Sequence, residues 1–549
     1  MKVMLPIMLP FIEEKISDYL TQITPFGFTG TVLIASEEKI IHSAGYGLAN
    51  RRNKIQNTTC TYHDIGSLTK QFTAAGILKL EMEGKLTTED TINLYFEGVP
   101  DEKKSITLHQ LLTHTSGIHD SSSDDYEMVT KEMALDRIFS SDSYESNQFS
   151  YSNDGYSLLA AIIERVSGQS YEDFIYRNLF LPANMQDTGY SLPSFEADRI
   201  ANGYVNNEDC GKPTEKNYPY WNLMGNGGML STSEDLYKWH RALRGESILS
   251  KVAKRKLFTP FLKDYAYGWR VLNTAQGTVH EHGGASSYGT CAHFRRYVEK
   301  DVVVIVLCNQ FSGISNQMAK VVSDKLSKIL FGQDIVIPPK VIGEKNEHAS
   351  IKAGSFLYRL NTGGYFTINS KDDSMTLETY DQDAIQLFLG SVEETDVITK
   401  LSLEITKDMM NGDYLSLETN MEDQQVFQGR RSFIENYLSK KTNFKSFKLM
   451  GSMPSTIIPE TIEVRILLSF EEEDISLLFF WKNNQIHYLG FSSGIGPISI
   501  ECRQNKDTYI CYSIEYESVV TFTISKDELN KINFISSALS AKWVKNINE

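Results

Sequence analysis

Cysteine is scarce in this chain: six in 549 residues, with no C-x-x-C pair and no tight cluster. That sparsity excludes a disulfide-framework scaffold and a structural zinc site. Cys502 and Cys511 could still face each other across a hairpin, although nothing in their spacing demands a bridge. Long apolar runs are also missing. No stretch approaches the ~20 uninterrupted apolar residues of a membrane-spanning helix, so no membrane span is expected. The apolar segment Val3–Ile12 is broken by Pro6 and Pro10, is followed at once by Glu13 and Glu14, and lacks a small-residue cleavage site. It does not read as a secretory signal, and a cytoplasmic location is the expectation. A basic excess is absent too: 54 Lys and Arg stand against 70 Asp and Glu, a net charge of −16. Nucleic-acid binders release phosphate counterions through basic faces, so no nucleic-acid partner is expected. Histidine is nearly absent from the last third, where His487 stands alone; the other ten lie before residue 350. Imidazole chemistry therefore belongs to the first two-thirds.

What is present describes a folded globular chain. Hydrophobic residues make up 41% and charged residues 23%, which rules out disorder or a fibre. The length suits about three ordinary domains, or one large enzyme domain with a smaller companion. A short amphipathic helix is predicted at 12–20, and a β-hairpin from Thr31–Ser36 and Ile40–Ala44. From Gly66 the apolar residues Leu68, Phe72, Ile77, Leu78, Leu80 and Met82 recur at helical spacing, and Gly84 supplies a stop. Helices follow at 107–113, 155–166 and 233–244, strands at 278–282, 288–296 and 301–308, and a helix at about 315–331. Strands, a helical middle and strands again predict an antiparallel sheet completed by both ends of the domain, with helices packed on it: an α/β sandwich over 12–331. Residues 332–350 lack periodicity, contain Pro338-Pro339, and read as a linker. Residues 351–549 have short alternating strands, such as Glu463–Phe470, Ile475–Trp481 and Val519–Ile524, and predict an all-β domain, sandwich or barrel.

The strongest local signal is Gly66-Ser67-Leu68-Thr69-Lys70. Positions i and i+3 share a helix face, so the Lys70 amine can reach the Ser67 hydroxyl at a helix start. A serine hydroxyl needs such a base to become a nucleophile, and lysine serves as one only when its pKa is lowered. Alone the motif is weak, since an N-cap serine followed by a solvated lysine is spelled the same way. Tyr151 and Asn153, in Phe149-Ser150-Tyr151-Ser152-Asn153, sit on the loop entering the next helix. Tyr151 can relay a proton and Asn153 can bond a substrate amide and Lys70; an aromatic anchor and an Asn cap are the plainer readings. His282-Gly283-Gly284 ends a predicted strand, where Gly284 would let a substrate approach the edge and the Ala285 N–H could face a developing oxyanion. A glycine-rich turn with an exposed histidine is the alternative. His109 with His114, and His280 with His282, lack an H-E-x-x-H context, and Gly225–Gly228 lacks the Lys-Ser/Thr of a phosphate loop. No metal and no cofactor is expected.

The three motifs in this order, separated by roughly 80 and 130 residues, resemble the serine β-lactamase and penicillin-binding-protein-like hydrolase superfamily. The branch is that of class C β-lactamases, D-Ala-D-Ala carboxypeptidases, D-aminopeptidases and esterases. Leu111-Leu112-Thr113-His114-Thr115-Ser116-Gly117-Ile118, Gly227-Gly228-Met229-Leu230-Ser231-Thr232 and Tyr267-Gly268-Trp269 resemble it as well. His114, Ser116 and Gly117 read as structural. The resemblance implies Ser67 as acylated nucleophile, Lys70 and Tyr151 sharing the base work, and Asn153 orienting substrate. It implies an oxyanion hole from the Ser67 and Ala285 N–H groups. His282 stands where many relatives carry the lysine of K-T-G, so carboxylate recognition is expected to strengthen as its imidazole protonates below ~6.5. The implied activity is a serine hydrolase working through an acyl-enzyme on esters, amides or D-amino-acid peptides. The alternatives are an acylated penicillin-binding sensor or trap without efficient turnover, and a true β-lactamase. Expected partners are a small-molecule or short-peptide substrate and, through the C-terminal domain, further copies of the chain.

Overall fold

The computed structural model describes residues 5–118, 127–141, 146–216, 219–311 and 316–341. It also describes 354–360, 364–371, 374–389, 395–422, 437–455, 460–492, 498–505, 508–524, 531–536 and 543–546, with a few single positions between. Residues 342–350 of the expected linker lie outside the described residues. The chain divides into two compact units, one reaching to Asp334 and the other running from Ile335 onward and including Gln22–Gly27.

The first unit is organised by a six-stranded sheet. Its strands are β1 (Gly30–Ser36), β2 (Lys39–Tyr46), β3 (Arg270–Thr274), β4 (Gly277–Ser286), β5 (Thr290–Tyr297) and β6 (Val302–Cys308). They lie in the order β2-β1-β6-β5-β4-β3, and each neighbouring pair described by register is antiparallel. β1 meets β6 with Gly30 opposite Cys308 and Ser36 opposite Val302, so the hairpin from the start of the unit is completed by strands from its end. Every residue of β1, β5 and β6 is buried. Alternation on β5 shows why: Arg295 reaches Asp324 on α5 (Met318–Leu330), while its neighbour Arg296 reaches His240 on α4 (Ser233–Arg244). Helices thus cover both faces, and a strand enclosed on both sides reads as a continuous apolar run rather than an alternating one. This is the β-lactamase-like sandwich of helices on an antiparallel sheet.

Two further helices carry the site. α2 (Thr69–Met82) is buried over all of Thr69–Leu78 and at Leu80, because its apolar and small residues run around the whole circumference. α3 (Asn153–Ser167) is capped by the Ser152 hydroxyl, which accepts from the Gly155 N–H at 3.1 Å, and ends at Gly168 with φ 69°. The N-terminal helix runs from Leu5 to Ile23, longer than the predicted 12–20.

In the second unit eight strands close into a barrel, Gly354–Leu360 pairing both with Tyr365–Lys371 and with Trp543–Asn546. A four-stranded antiparallel sheet spans Ser446–Pro454 to Gln485–Ser492. The all-β character read from the alternation is present, and helices that the alternation did not announce are inserted among the strands, among them Gln382–Leu389, Thr395–Met410 and Leu415–Asn420. The longest buries Ile398, Ser402, Ile405 and Met409, a helical spacing visible in retrospect. Cys502 and Cys511 are directly opposite on neighbouring barrel strands, with Cα atoms 4.0 Å apart, and they form the disulfide that their spacing alone did not require. Among the described residues no helix is long and apolar enough to cross a membrane, and no group of three or more His, Cys, Asp or Glu is placed to hold a metal ion.

Candidate active site

Ser67 lies on a single 3₁₀ turn, Gly66–Leu68, that leads directly into α2. Asp64 holds the entry by accepting the Gly66 N–H at 2.8 Å. The end of β4 lies hard against this turn. A Cβ on Gly66, whose φ is +50°, would fall 2.5 Å from the Ala285 nitrogen; a Cβ on Gly284 would fall 2.0 Å from the Ile65 carbonyl oxygen and 2.9 Å from the Ser67 nitrogen. Two glycines therefore let two backbones interlock, and they bring Ala285 to the flank of Ser67. β3 pairs with β4 over Gly277–Glu281, and β4 continues past that pairing through His282–Ala285.

Lys70 is fully buried and its ammonium is surrounded by acceptors. Nζ donates to the Ser67 hydroxyl at 3.2 Å, to Asn153 Oδ1 at 2.7 Å and to the Asn226 carbonyl at 2.7 Å. The Tyr151 ring centroid lies 4.8 Å from it, and that of Tyr156 5.6 Å. Asn153 is free of capping duty because Ser152, one residue earlier, is the cap. Its side chain can therefore turn to the lysine. Gly225, with φ +81°, seats the Asn226 loop against α3, where a Cβ would lie 2.6 Å from that of Ala160. Tyr151, at 38% exposure, is the most open of these groups.

His282 is buried on β4 and engaged at both ring nitrogens. The Gly283 carbonyl, 2.6 Å from Nδ1, can only accept, so Nδ1 carries the proton; Nε2 then accepts the Tyr265 hydroxyl proton at 2.9 Å. Burial first, and then the positive charge of Lys70, pushes its pKa down to about 4. The expectation that His282 gains charge near pH 6 is thereby corrected: its ring stays neutral there and is held by the protein itself.

The structure thus brings Ser67, Lys70, Tyr151, Asn153, His282, Gly284 and Ala285 into one cluster. Three participants were not assigned to the site from the sequence. Asn226 contributes a backbone oxygen, which no side-chain pattern announces. Tyr265 lies two residues before Tyr267-Gly268-Trp269, and Gly268 (φ +71°) lets that segment lie on α2, where a Cβ would come 2.7 Å from the Lys70 carbonyl oxygen. His114, read as structural, packs against the Tyr151 ring with centroids 4.2 Å apart.

Burial of imidazole has a measurable consequence. His63 and His293 are pushed to about 3 and His282 to about 4, each chiefly by desolvation, and among the described residues neither ring nitrogen of His63 has a hydrogen-bond partner. Above the ordinary value of ~6.5 these rings are neutral whether the chain is folded or not, so they add no pH dependence. Below it the unfolded chain takes up protons that the folded one refuses, and stability falls with pH. By pH ~5 each ring withdraws about 2 kcal/mol, and the three together withdraw an amount comparable with a typical net stability of ~5–15 kcal/mol. Denaturant midpoints should be level above pH ~7 and drop steeply between ~6.5 and ~5, before most carboxylates titrate. Level midpoints down to pH ~5 would contradict this.

The profile of a family described as Beta-lactamase matches residues 27–323. Penicillin-binding protein 4* of Bacillus subtilis is 31% identical over 412 residues, covering 69% of this chain and 89% of that one. The putative penicillin-binding protein PbpX of the same organism is 32% identical over 323 residues, or 58% of this chain and 78% of that one. Among solved structures, the octameric penicillin-binding protein homologue from Pyrococcus abyssi aligns over 98% of both chains at 19% identity and a TM-score of 0.51. D-amino acid amidase from Ochrobactrum anthropi aligns over 59% of this chain and 99% of its own at 22% identity and a TM-score of 0.52. At those identities the two structures establish likeness of fold.

Proposed function

Since the chain belongs to the beta-lactamase family, we propose that it is a serine hydrolase that forms an acyl-enzyme on Ser67 and takes small esters, amides or short D-amino-acid peptides. The observation that carries this reading is the buried Lys70 ammonium shared between the Ser67 hydroxyl and Asn153. A substrate laid along the end of β4 that extends past its pairing with β3 would place its carbonyl carbon over Ser67 Oγ, with its oxygen toward the N–H groups of Ser67 and Ala285. As Oγ attacks, its proton passes to the Tyr151 phenolate, whose charge the Lys70 ammonium balances, and Tyr151 returns that proton to the departing alcohol or amine. Asn153 holds both Lys70 and the substrate amide. Water then enters where the leaving group stood, and the same groups reverse their proton traffic to free the acid.

The names of the Bacillus relatives favour one other reading, an acylated penicillin-binding protein with slow release. A labelled acylating probe, followed by time-resolved loss of label, separates the two. The panel is neutral esters, D-amino-acid amides, D-Ala-D-Ala peptides and β-lactams; turnover of at least one, with label lost at the turnover rate, is the expected result. Label that persists with every class would leave a trap. Residues 351–549 are assigned an accessory role in self-association, a role supported by the octameric neighbour that spans almost the whole chain.

Substrate charge is a second readout. With His282 pushed down to about 4, the ring does not change charge between pH ~8 and ~5.5. The ratio of kcat/KM for one neutral and one carboxylate-bearing substrate should therefore stay within about twofold across that range, since both depend on the same base. A ratio that moves about tenfold toward the anion as pH falls would show His282 charging in the complex.

A further inference from the structure

His114 is placed around Tyr151 in a way that packing alone does not explain. It follows the short helix Leu108–Leu112 and adopts φ +57°, a left-handed conformation that histidine tolerates better than most residues. Its carbonyl accepts the Ser150 N–H at 2.8 Å, and its ring Nδ1 accepts the Ser152 N–H at 3.1 Å. Between those two anchored residues stands Tyr151, whose ring packs on the imidazole at a tilt of 36° with centroids 4.2 Å apart. The imidazole also meets Tyr265 at 4.6 Å and Tyr156 at 5.1 Å. Because Nδ1 accepts, the ring proton sits on Nε2, which is buried and has no hydrogen-bond partner among the described residues. A residue selected only to fill this space would be phenylalanine, which leaves no buried N–H unpaired. The imidazole is explained by the acceptor it presents to Ser152.

We infer that His114 is a positioning residue for the Tyr151 phenol, clamping the 150–152 segment by accepting two of its backbone N–H groups and the phenol itself by ring contact. This rests on the reading of Tyr151 as a proton carrier for Ser67. Tyr151 is the most exposed member of the site, and it enters the cluster from a loop. Left to itself such a side chain would sample several rotamers, and a displacement of about 1 Å is enough to slow a proton transfer ~100-fold. Burial, with the Lys70 and His282 side chains nearby, holds the His114 ring well below its ordinary pKa, so the clamp stays neutral beside the ammonium. The groups facing it are Lys70, His282, Tyr151, Tyr156 and Tyr265.

The test uses the full chain and two complementary variants. His114→Phe keeps a stacking ring and removes the acceptor; His114→Asn keeps an acceptor near the Nδ1 position, suits a positive φ, and removes the ring. Single-turnover acylation by a chromogenic ester is measured against pH, with thermal melts as a check on folding and Tyr151→Phe as the reference. Each His114 variant should slow acylation about 10–100-fold, change KM less than about threefold, and displace the pH profile. On a Tyr151→Phe background His114→Asn should add less than about threefold. Folded His114 variants with wild-type rates and pH profile would overturn the clamp, as would losses that multiply with Tyr151→Phe. If Tyr151→Phe itself acylates at the wild-type rate, the reading of Tyr151 fails and the clamp fails with it, a result distinct from the first two. If His114→Phe does not fold, His114→Asn alone decides.

Discussion

Ser67→Ala is expected to lower turnover by about 10⁴–10⁶-fold while the protein melts almost as the wild type does. The rate loss follows from removing the atom to which the proposed mechanism assigns the covalent bond. The preserved fold follows from the geometry of Lys70. Its ammonium donates to three acceptors, and the loss of Oγ leaves Asn153 Oδ1 and the Asn226 carbonyl in place, both at 2.7 Å. The buried charge therefore keeps its solvation, and no large cavity opens. Steady-state hydrolysis, probe labelling and a melt on the same sample check both halves. Labelling at the wild-type rate in the alanine variant would remove Ser67 from the chemistry.

The second large effect concerns the groups that carry the proton. Lys70→Met keeps most of the volume of the buried side chain and removes its charge; Tyr151→Phe keeps the ring and removes the hydroxyl. Each should slow acylation by about 10²–10⁴-fold. Together they should slow it little more than the worse of the two, because both groups handle one proton along one path. The 4.8 Å between Nζ and the Tyr151 ring places them close enough to act as a unit. Losses that multiply across the two variants, measured by single-turnover acylation, would establish separate roles. Since Lys70→Met also leaves Asn153 and Asn226 without their donor, a fall in melting temperature is expected for that variant and not for Tyr151→Phe.

How much of this arrangement the chain declares in its sequence depends on the kind of contact. Ser67 and Lys70 are legible because a helix converts a spacing of three into proximity. Tyr151, Asn153 and His282 are separated from them by more than 80 positions, and only the combination of motifs in order groups them. The sandwich is legible because the strand-rich ends bracket a helical middle. Three things are not legible locally. The Asn226 carbonyl is a backbone atom. The state of His282 is fixed by burial, by Lys70 and by a tyrosine seventeen residues away, none of which its neighbours in sequence reveal. The helices of the second unit are masked by strand-like composition around them, although Ile398, Ser402, Ile405 and Met409 mark the longest once its buried face is known.

The pairing of β1 with β6 also sets a timetable for making the protein. Gly30 and Cys308 are partners across a gap of about 280 positions. At a synthesis rate of ~5–20 residues per second, the hairpin that opens the unit waits roughly 15–55 s for the strand that completes it. Throughout that wait α2, apolar around its circumference, has no sheet to lie on. Ser67 and Ala285, whose backbones interlock at Gly66 and Gly284, are separated by a shorter delay of roughly 10–45 s. A nascent chain stalled before β6 therefore offers a sticky surface and an incomplete sheet. Closure of the six-stranded sheet, and with it the proposed site, waits until translation has passed residue 308.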